Sequence, residues 1–268
     1  MMEMTEFELT LGLNKIEELN KKAMFARKRE GKGCVLCNYT GYTTNSENKE
    51  IMCSCEKNKF FHEIYSRANI PRAYLNKNLD DWNTRTDASG NDLGMQQIRS
   101  ENVYTLLKYY DKHFVRICNG NPPTFKHSVN MSDKLGSIIF EGGIGSGKTF
   151  IASVMVQLAI QKNLTAKYFD WTELLETFID FDKKEIANDI IDDFKNLDFI
   201  ALDGVENLIS HTQLPFQLER LARARLGSNK PTFIMAFGNV DQISNASGWR
   251  SFISNCITIH LPMAVKRG

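Results

Sequence analysis

The spacing of apolar residues divides the chain into a mainly helical first half and an alternating second half. Residues 5–29 place apolar side chains three or four positions apart, which predicts an amphipathic helix. The same spacing predicts a short helix at 62–67 and a long one from about residue 91 to 117. The stretch 119–134 is polar and contains two consecutive prolines, so we expect an exposed loop there.

From Gly136 onward, short apolar runs alternate with segments of helical spacing. Strands are predicted at 137–141, 165–170, 199–203, 232–237 and 256–261, and helices at 148–162, 172–180, 186–195 and 214–226. The run 199–203 is apolar up to its last residue, which is typical of a strand buried in a parallel sheet. This alternation predicts an α/β domain with a mostly parallel sheet and helices on both faces.

The charge of the chain is balanced, so it does not by itself indicate a nucleic-acid-binding protein. Lys and Arg total 33 and Asp and Glu total 32, which gives a formal net charge of +1. Any binding of nucleic acid must therefore come from local patches. No apolar run approaches the roughly 18 to 20 residues of a membrane span, and the acidic N-terminus does not resemble a signal peptide. We therefore expect a cytoplasmic protein with reduced cysteines.

Four of the six cysteines form two close pairs separated by a loop of hairpin size. They are Cys34, Cys37, Cys53 and Cys55. In a reducing compartment, this layout predicts a small zinc ribbon with a tetrahedral, structural Zn²⁺ site rather than disulfides. If Cys55 is not a ligand, Glu56 or His62 is the alternative fourth ligand. Such a ribbon folds only with its metal.

The strongest chemical signal is a phosphate-binding loop between a predicted strand and a predicted helix. Its residues are Gly142, Gly143, Ile144, Gly145, Ser146, Gly147, Lys148 and Thr149, and Phe150 follows them as a further nucleotide-binding candidate. The glycines let backbone N–H groups curl around a phosphate, and the helix N-terminus adds a partial positive charge. Lys148 is expected to reach the β- and γ-phosphates, and Thr149 to bind Mg²⁺.

A phosphate-binding loop of this kind requires an acid on a neighbouring strand. Asp203 ends the apolar run 199–203 and is our candidate for holding the magnesium water. Many such ATPases carry a second acid at the next position, where this chain has Gly204. Glu206 comes two positions later and is the candidate replacement, so we expect hydrolysis to be weak or to need a partner.

Two further polar residues are candidates for contact with the γ-phosphate. Asn239 follows the next predicted strand and could touch the γ-phosphate or the attacking water. Arg250 precedes the last strand and could reach the γ-phosphate of a neighbouring subunit. Three other arginines compete for that role; they are Arg220, Arg223 and Arg225.

The order of these features resembles the DnaC/DnaI-type replicative helicase loaders of bacteria and phages, which are AAA+ ATPases. The resemblance lies in the cysteine layout, the phosphate-binding loop, the stretch 69–82 (Asn-Ile-Pro-Arg to Leu-Asp-Asp-Trp) and the segment 167–175. It implies that residues 142–149 are Walker A and that Asp203 closes Walker B. Asn239 falls at sensor 1, and Arg250 falls near the arginine finger.

The resemblance also implies an organisation and a function. Residues 1–66 would form a helix and zinc ribbon that binds the replicative helicase, 67–134 a linker and helical lead-in, and 135–268 the AAA+ core. The core would bind ATP or ADP with Mg²⁺, associate with further copies of itself, contact single-stranded DNA and load the helicase. The last strand is close to Gly268, so we expect no full C-terminal helical lid. The alternatives are an IstB-type transposition helper ATPase and a nucleotide-gated adaptor with little hydrolysis.

Overall fold

The computed structural model describes the chain in two compact units. The described residues are 34, 36–37, 40, 42–44, 46, 48–53, 55, 63–75, 77–83, 96–127, 131–134, 136–205, 214–237 and 247–262. The first unit comprises residues 1–64 and the second residues 65–268. The predicted helix at 5–29 lies outside the described residues. The three-part division at residues 66 and 134 stays a prediction.

The strands are β1 (Tyr42–Thr44), β2 (Glu50–Met52), β3 (Thr124–His127), β4 (Met131–Lys134), β5 (Ile138–Glu141), β6 (Ala166–Asp170), β7 (Phe199–Val205), β8 (Thr232–Ala236) and β9 (Ile257–His260). The helices are α1 (Gln97–Cys118), α2 (Lys148–Gln161), α3 (Trp171–Ile179), α4 (Lys184–Asn196), α5 (Leu214–Ser228) and α6 (Ser247–Ser254). Short 3₁₀ turns occur at Arg72–Tyr74, Leu79–Asp81 and Phe181–Lys183.

Five strands of the second unit form one parallel sheet in the order β6-β7-β8-β5-β9. The chain enters the sheet at β5, between β8 and β9, and leaves β5 directly for α2. The carboxyl ends of β5, β7 and β8 therefore lie at the same edge of the sheet, where open α/β sheets bind their ligands. The predicted α/β class, with a parallel sheet and helices on both faces, is confirmed.

One face of the sheet is covered by α1 and α2. Phe199 and Phe233 point to this face, where the Phe199 ring lies 4.9 Å from Phe114 and the Phe233 ring 4.8 Å from Tyr110 of α1. Helix α2 is buried over most of its length rather than on one stripe. An apolar helix of this kind has to be enclosed on several sides, which explains its weak amphipathic pattern in the sequence.

The other face is covered by α3 to α6. Because side chains alternate along a strand, the residues between those of the first face point here. They pack with the four helices in one apolar cluster that includes Ile200, Ile234, Trp171 and Trp249. The sheet is thus buried on both sides, as the apolar runs in its strands predict.

Two elements differ from the sequence prediction. The stretch 119–134, predicted as a loop, contains the antiparallel hairpin β3–β4 with Thr124 opposite Lys134. The helix α6 was not predicted at all. It has only 8 residues and contains Gly248, so it lacks the length over which helical spacing becomes visible.

Arg225 is a buried structural residue, which removes it from the candidates for an arginine finger. Only 1% of its surface is exposed, and its guanidinium donates to five oxygens at 2.5–3.3 Å. The acceptors are the carbonyl oxygens of Phe194, Leu197, Asp198 and Pro231 and the hydroxyl of Thr232. Burial lowers the pKa of Arg225 to about 10, which leaves the group charged at neutral pH. It joins the end of α4, the end of α5 and the starts of β7 and β8.

We expect Arg225→Met to lower the free energy of unfolding by about 3 kcal/mol or more, because it leaves several buried carbonyl oxygens without a hydrogen-bond donor. Chemical denaturation measures the loss. The matched control is Arg223→Met on the same helix, where an exposed arginine pairs with Glu219 at 2.6 Å. That surface pair is worth about 0.5 kcal/mol. Equal stability of the two variants would contradict the structural role of Arg225.

Among the described residues, no helix combines the length and the apolar character needed to cross a bilayer.

Candidate functional site

The phosphate-binding loop joins β5 to α2 and depends on its last glycine. Gly147 directly precedes α2 and has φ +88°, a left-handed conformation that side-chain-bearing residues rarely adopt. A Cβ at this position would also lie 2.7 Å from the Trp82 ring. The backbone conformation and the neighbouring Trp82 ring therefore favour glycine at position 147, whether or not a phosphate is bound.

The N-terminus of α2 offers backbone donors at this loop. Helix α2 has no side-chain cap and no acidic residue in its first turn. Its first N–H groups are therefore not consumed by a capping side chain, and they carry the positive end of the helix dipole. This arrangement fits an anionic ligand such as a phosphate. Thr149 and Phe150 lie in this first turn, as predicted.

Lys148 holds its ammonium group over the loop. Its Nζ donates to the carbonyl oxygens of Gly142 at 2.6 Å and Gly143 at 2.7 Å, and it lies 5.7 Å from the centre of the Phe237 ring. The hydroxyl of Ser146 donates to the Gly143 carbonyl at 2.9 Å. These carbonyl oxygens are neutral acceptors, which a charged phosphate oxygen can replace.

Asp203 is a buried carboxylate near the end of β7. Only 5% of its surface is exposed. Its Oδ2 accepts the hydroxyl hydrogen of Tyr168 at 2.7 Å, and its Oδ1 accepts the N–H of Gly204 at 2.9 Å. Among the described residues, no lysine, arginine or histidine forms an ion pair with it. A buried carboxylate without a cationic partner is costly, so this group fits a site for a metal ion or its bound water.

Tyr168 is a site residue that the sequence analysis did not find. It lies on the edge strand β6, and its backbone N–H donates to the carbonyl of Ala68 at 2.9 Å. Burial raises the pKa of Tyr168, and the neighbouring charge of Asp203 raises it further. The phenol therefore stays protonated at neutral pH and acts as a donor. No sequence signal marks this contact, because it depends on the register between β6 and β7.

Gly204 occupies the position of the second acid for a backbone reason. Its φ is +75°, and the pairing of β7 with β8 shifts between Leu202 and Val205. Such a bulge favours glycine over any side chain, including a carboxylate. Glu206 and Asn239 lie outside the described residues, so their roles stay predictions.

Arg250 is the candidate for an intermolecular role. It lies on α6 and is exposed. The start of this helix is held by Glu219 of α5, whose carboxylate accepts the N–H of Gly248 at 2.6 Å. Of the competing arginines, Arg225 is buried, and Arg223 pairs with the same Glu219. Arg250 thus stands on a helix whose start is fixed to α5.

The lead-in segment before α1 packs directly on the phosphate-binding loop. The Trp82 ring lies 5.7 Å from that of Phe150, and its indole N–H donates to the Ser100 hydroxyl at 2.9 Å. The Tyr74 ring lies 6.4 Å from Phe150, and the Tyr74 carbonyl accepts a hydrogen bond from Gln157 of α2 at 2.9 Å. The resemblance included Trp82, but its contact with the loop could not be read from the sequence.

The four predicted cysteine ligands converge in the first unit. Their Sγ atoms all lie within 4.8 Å of one another, with Cys34 and Cys53 3.8 Å apart and Cys37 and Cys55 3.6 Å apart. A tetrahedral site with Zn–S bonds of about 2.3 Å places sulfurs about 3.8 Å apart, so the cluster has the required size. The hairpin β1–β2 connects the two pairs, with Thr44 opposite Glu50.

The cluster includes Cys55, and its chemistry favours a bound cation. Burial and the adjacent thiols raise the pKa of Cys55 to about 12. Without a cation the Cys55 thiol is therefore protonated at neutral pH, and four thiolates this close together would need a cation to offset their charge. The alternative ligands Glu56 and His62 lie outside the described residues.

Comparison with known proteins gives the fold a context. No family model and no curated protein matches the sequence. Among solved structures, the chain is similar to DnaI, with a TM-score of 0.51 and 15% identity over 71% of this chain and 94% of that one. It is similar to the DnaC helicase loader, with a TM-score of 0.51 and 14% identity over 71% and 99%. It is also similar to a candidate primosome component from Streptococcus pyogenes serotype M3, with a TM-score of 0.50 and 15% identity over 76% of this chain and 97% of that one.

These matches span nearly the whole of each solved chain and establish a shared fold. The predicted resemblance to the DnaC/DnaI-type loaders is therefore confirmed for the architecture, a five-stranded parallel sheet of AAA+ type carrying a phosphate-binding loop. In its fold, this chain is similar to the solved structures of DnaI and the DnaC helicase loader.

Proposed function

We propose that this protein is an ATP-dependent loader of the replicative DNA helicase onto single-stranded DNA. The observation that carries the proposal is a phosphate-binding loop and a buried carboxylate, which has no basic partner among the described residues, at one sheet edge of a loader-like fold. A separate cysteine unit precedes this core, in the region that the resemblance assigns to the helicase.

ATP binding would begin at the loop. The first N–H groups of α2 would donate to phosphate oxygens, and Lys148 would exchange its contacts with the Gly142 and Gly143 carbonyls for the β- and γ-phosphates. Thr149 and Asp203 would hold Mg²⁺, which neutralises charge on the phosphates when it is bound. Asp203 is buried, so its charge is little screened by solvent.

Hydrolysis would need groups beyond the loop. Glu206 would orient or polarise the attacking water in place of the second acid, and Asn239 would contact the γ-phosphate. Arg250, exposed on α6, would reach the nucleotide of an adjacent copy. ATP would thereby favour self-association of the core, and the assembly would hold the helicase while single-stranded DNA enters.

A nucleotide-gated adaptor with little hydrolysis is the second candidate. It is favoured by the glycine at position 204, where the backbone conformation disfavours the usual second acid. In that case ATP binding alone would control assembly. Steady-state turnover of the helicase-bound protein distinguishes the two functions, since an adaptor would stay close to zero while binding ATP.

The test is co-purification with the replicative helicase of the source organism, with and without ATP. Full-length protein is compared with a chain that begins at Tyr65, where the second compact unit starts. We expect the helicase to bind the full-length chain and not the shortened one. The shortened chain must still bind nucleotide, which serves as its folding control.

The opposite outcome is equally specific. No helicase binding in any nucleotide state, together with tight binding of duplex DNA, would replace this proposal with the transposition helper.

A further inference from the structure

We propose that Tyr168 is a positioning residue for Mg²⁺: its hydroxyl fixes the carboxylate of Asp203 in the orientation that receives the ion or its bound water. The inference rests on the proposed nucleotide site and adds to it a residue on a strand that the Walker motifs do not include. Tyr168 touches neither nucleotide nor metal in this assignment, and it acts through Asp203.

The register of the sheet brings the two residues together. Tyr168 of β6 lies opposite Ala201 of β7, and Asp203 follows two positions later on the same face of the sheet. Because Ala201 has only a methyl group, a long side chain on β6 can reach along the diagonal to Asp203. The resulting contact between the Tyr168 hydroxyl and Oδ2 of Asp203 is 2.7 Å and buried.

Both oxygens of the Asp203 carboxylate are fixed. Oδ2 accepts from Tyr168, and Oδ1 accepts from the N–H of Gly204. Two donors on different oxygens resist rotation of the carboxylate, while each oxygen keeps a further lone pair for another donor or a cation. The group is therefore oriented and still has capacity for a ligand.

A neutral donor suits this task better than a cation would. A lysine or arginine at this position would neutralise Asp203 and compete with a divalent ion. A phenol donates its hydrogen without adding charge, so the buried carboxylate keeps its attraction for a metal. This explains the absence of a basic partner for Asp203 among the described residues.

Tyr168 is itself held by the lead-in segment. Its N–H donates to the Ala68 carbonyl, and only 5% of its surface is exposed. Three positions before Ala68, the hydroxyl of Tyr65 accepts a hydrogen bond from Gln161 at 2.8 Å. Tyr65 provides a matched control, since it is a buried tyrosine whose hydroxyl contacts Gln161 rather than Asp203.

The experiment compares Tyr168→Phe with Tyr65→Phe and the unmodified full-length chain. A fluorescent ATP analogue is titrated first in EDTA and then at increasing Mg²⁺. For Tyr168→Phe we expect the affinity in EDTA to stay within about twofold, while the Mg²⁺ concentration at half-maximal effect rises about tenfold, the loss of one charge-assisted hydrogen bond. Tyr65→Phe should show neither change. A thermal melt of each variant verifies folding.

A double-mutant cycle with Asp203→Asn tests whether Tyr168 acts through Asp203. If it does, the double variant should shift the Mg²⁺ midpoint little more than Asp203→Asn alone. Fully additive shifts would overturn the inference, as would an unchanged midpoint for Tyr168→Phe when the unmodified chain responds to Mg²⁺. If the unmodified chain binds no nucleotide or ignores Mg²⁺, the proposed function itself fails, which is a distinct result.

Discussion

Lys148→Ala is expected to abolish measurable ATP binding. The ammonium group lies over the loop with carbonyl partners at 2.6 and 2.7 Å, so it is already placed for phosphate oxygens. Charge-assisted hydrogen bonds to two phosphates amount to about 3 kcal/mol or more, which is more than a hundredfold in affinity. Titration with a fluorescent ATP analogue measures the loss.

The control is Lys162→Ala, which removes the same charge directly after the far end of α2. Lys162 pairs with Asp111 at 3.0 Å and has no contact with the loop in the described structure. Its removal should leave ATP affinity within about twofold, because partly exposed pairs contribute little. If Lys148→Ala binds ATP with unchanged affinity, the assignment of the nucleotide site is wrong, and the proposed ATP-dependent loading is wrong with it.

Cys37→Ser should remove the metal from the first unit. We expect about one zinc per chain in protein purified without chelators and close to none in the variant. Three thiolates and one hydroxyl bind Zn²⁺ far more weakly, and small cysteine ribbons fold only with their metal. Elemental analysis measures the metal, and proteolysis of residues 1–64 reports their folding.

A matched control comes from Cys256, which lies in the other unit. Its Sγ donates to the Phe252 carbonyl at 3.3 Å, a bond that a serine hydroxyl can also form. Cys256→Ser should therefore retain its zinc. Nucleotide binding should survive in both variants, because residues 65–268 form their own compact unit. If the unmodified protein contains no zinc, the prediction of a zinc ribbon is wrong.

The strands of the sheet could be predicted because burial on both faces leaves a local signal. The sequence of β7 is apolar from Phe199 to Leu202. Because this run alternates with predicted helices, it indicates a strand in a mostly parallel α/β sheet. The phosphate-binding loop was equally visible, because its glycines meet backbone requirements within a few residues. These features could be predicted because each depends on residues that are close together in the sequence.

The remaining features depend on contacts between distant residues. The buried donors of Arg225 meet oxygens up to 31 positions away, and an arginine on a helix gives no hint of this. Tyr168 meets Asp203 only through the register of β6 with β7. The helix α6 was missed because two turns are too short for periodicity to emerge.

The packing of Trp82 gives the molecule a natural optical reporter. The chain has three tryptophans, and two of them, Trp171 and Trp249, are almost completely buried on the face of the sheet away from α2. Trp82 is half-buried, and its ring lies against Gly147 and Phe150 at the loop. Addition of nucleotide is therefore expected to change the emission of Trp82, so binding can be followed in unlabelled protein.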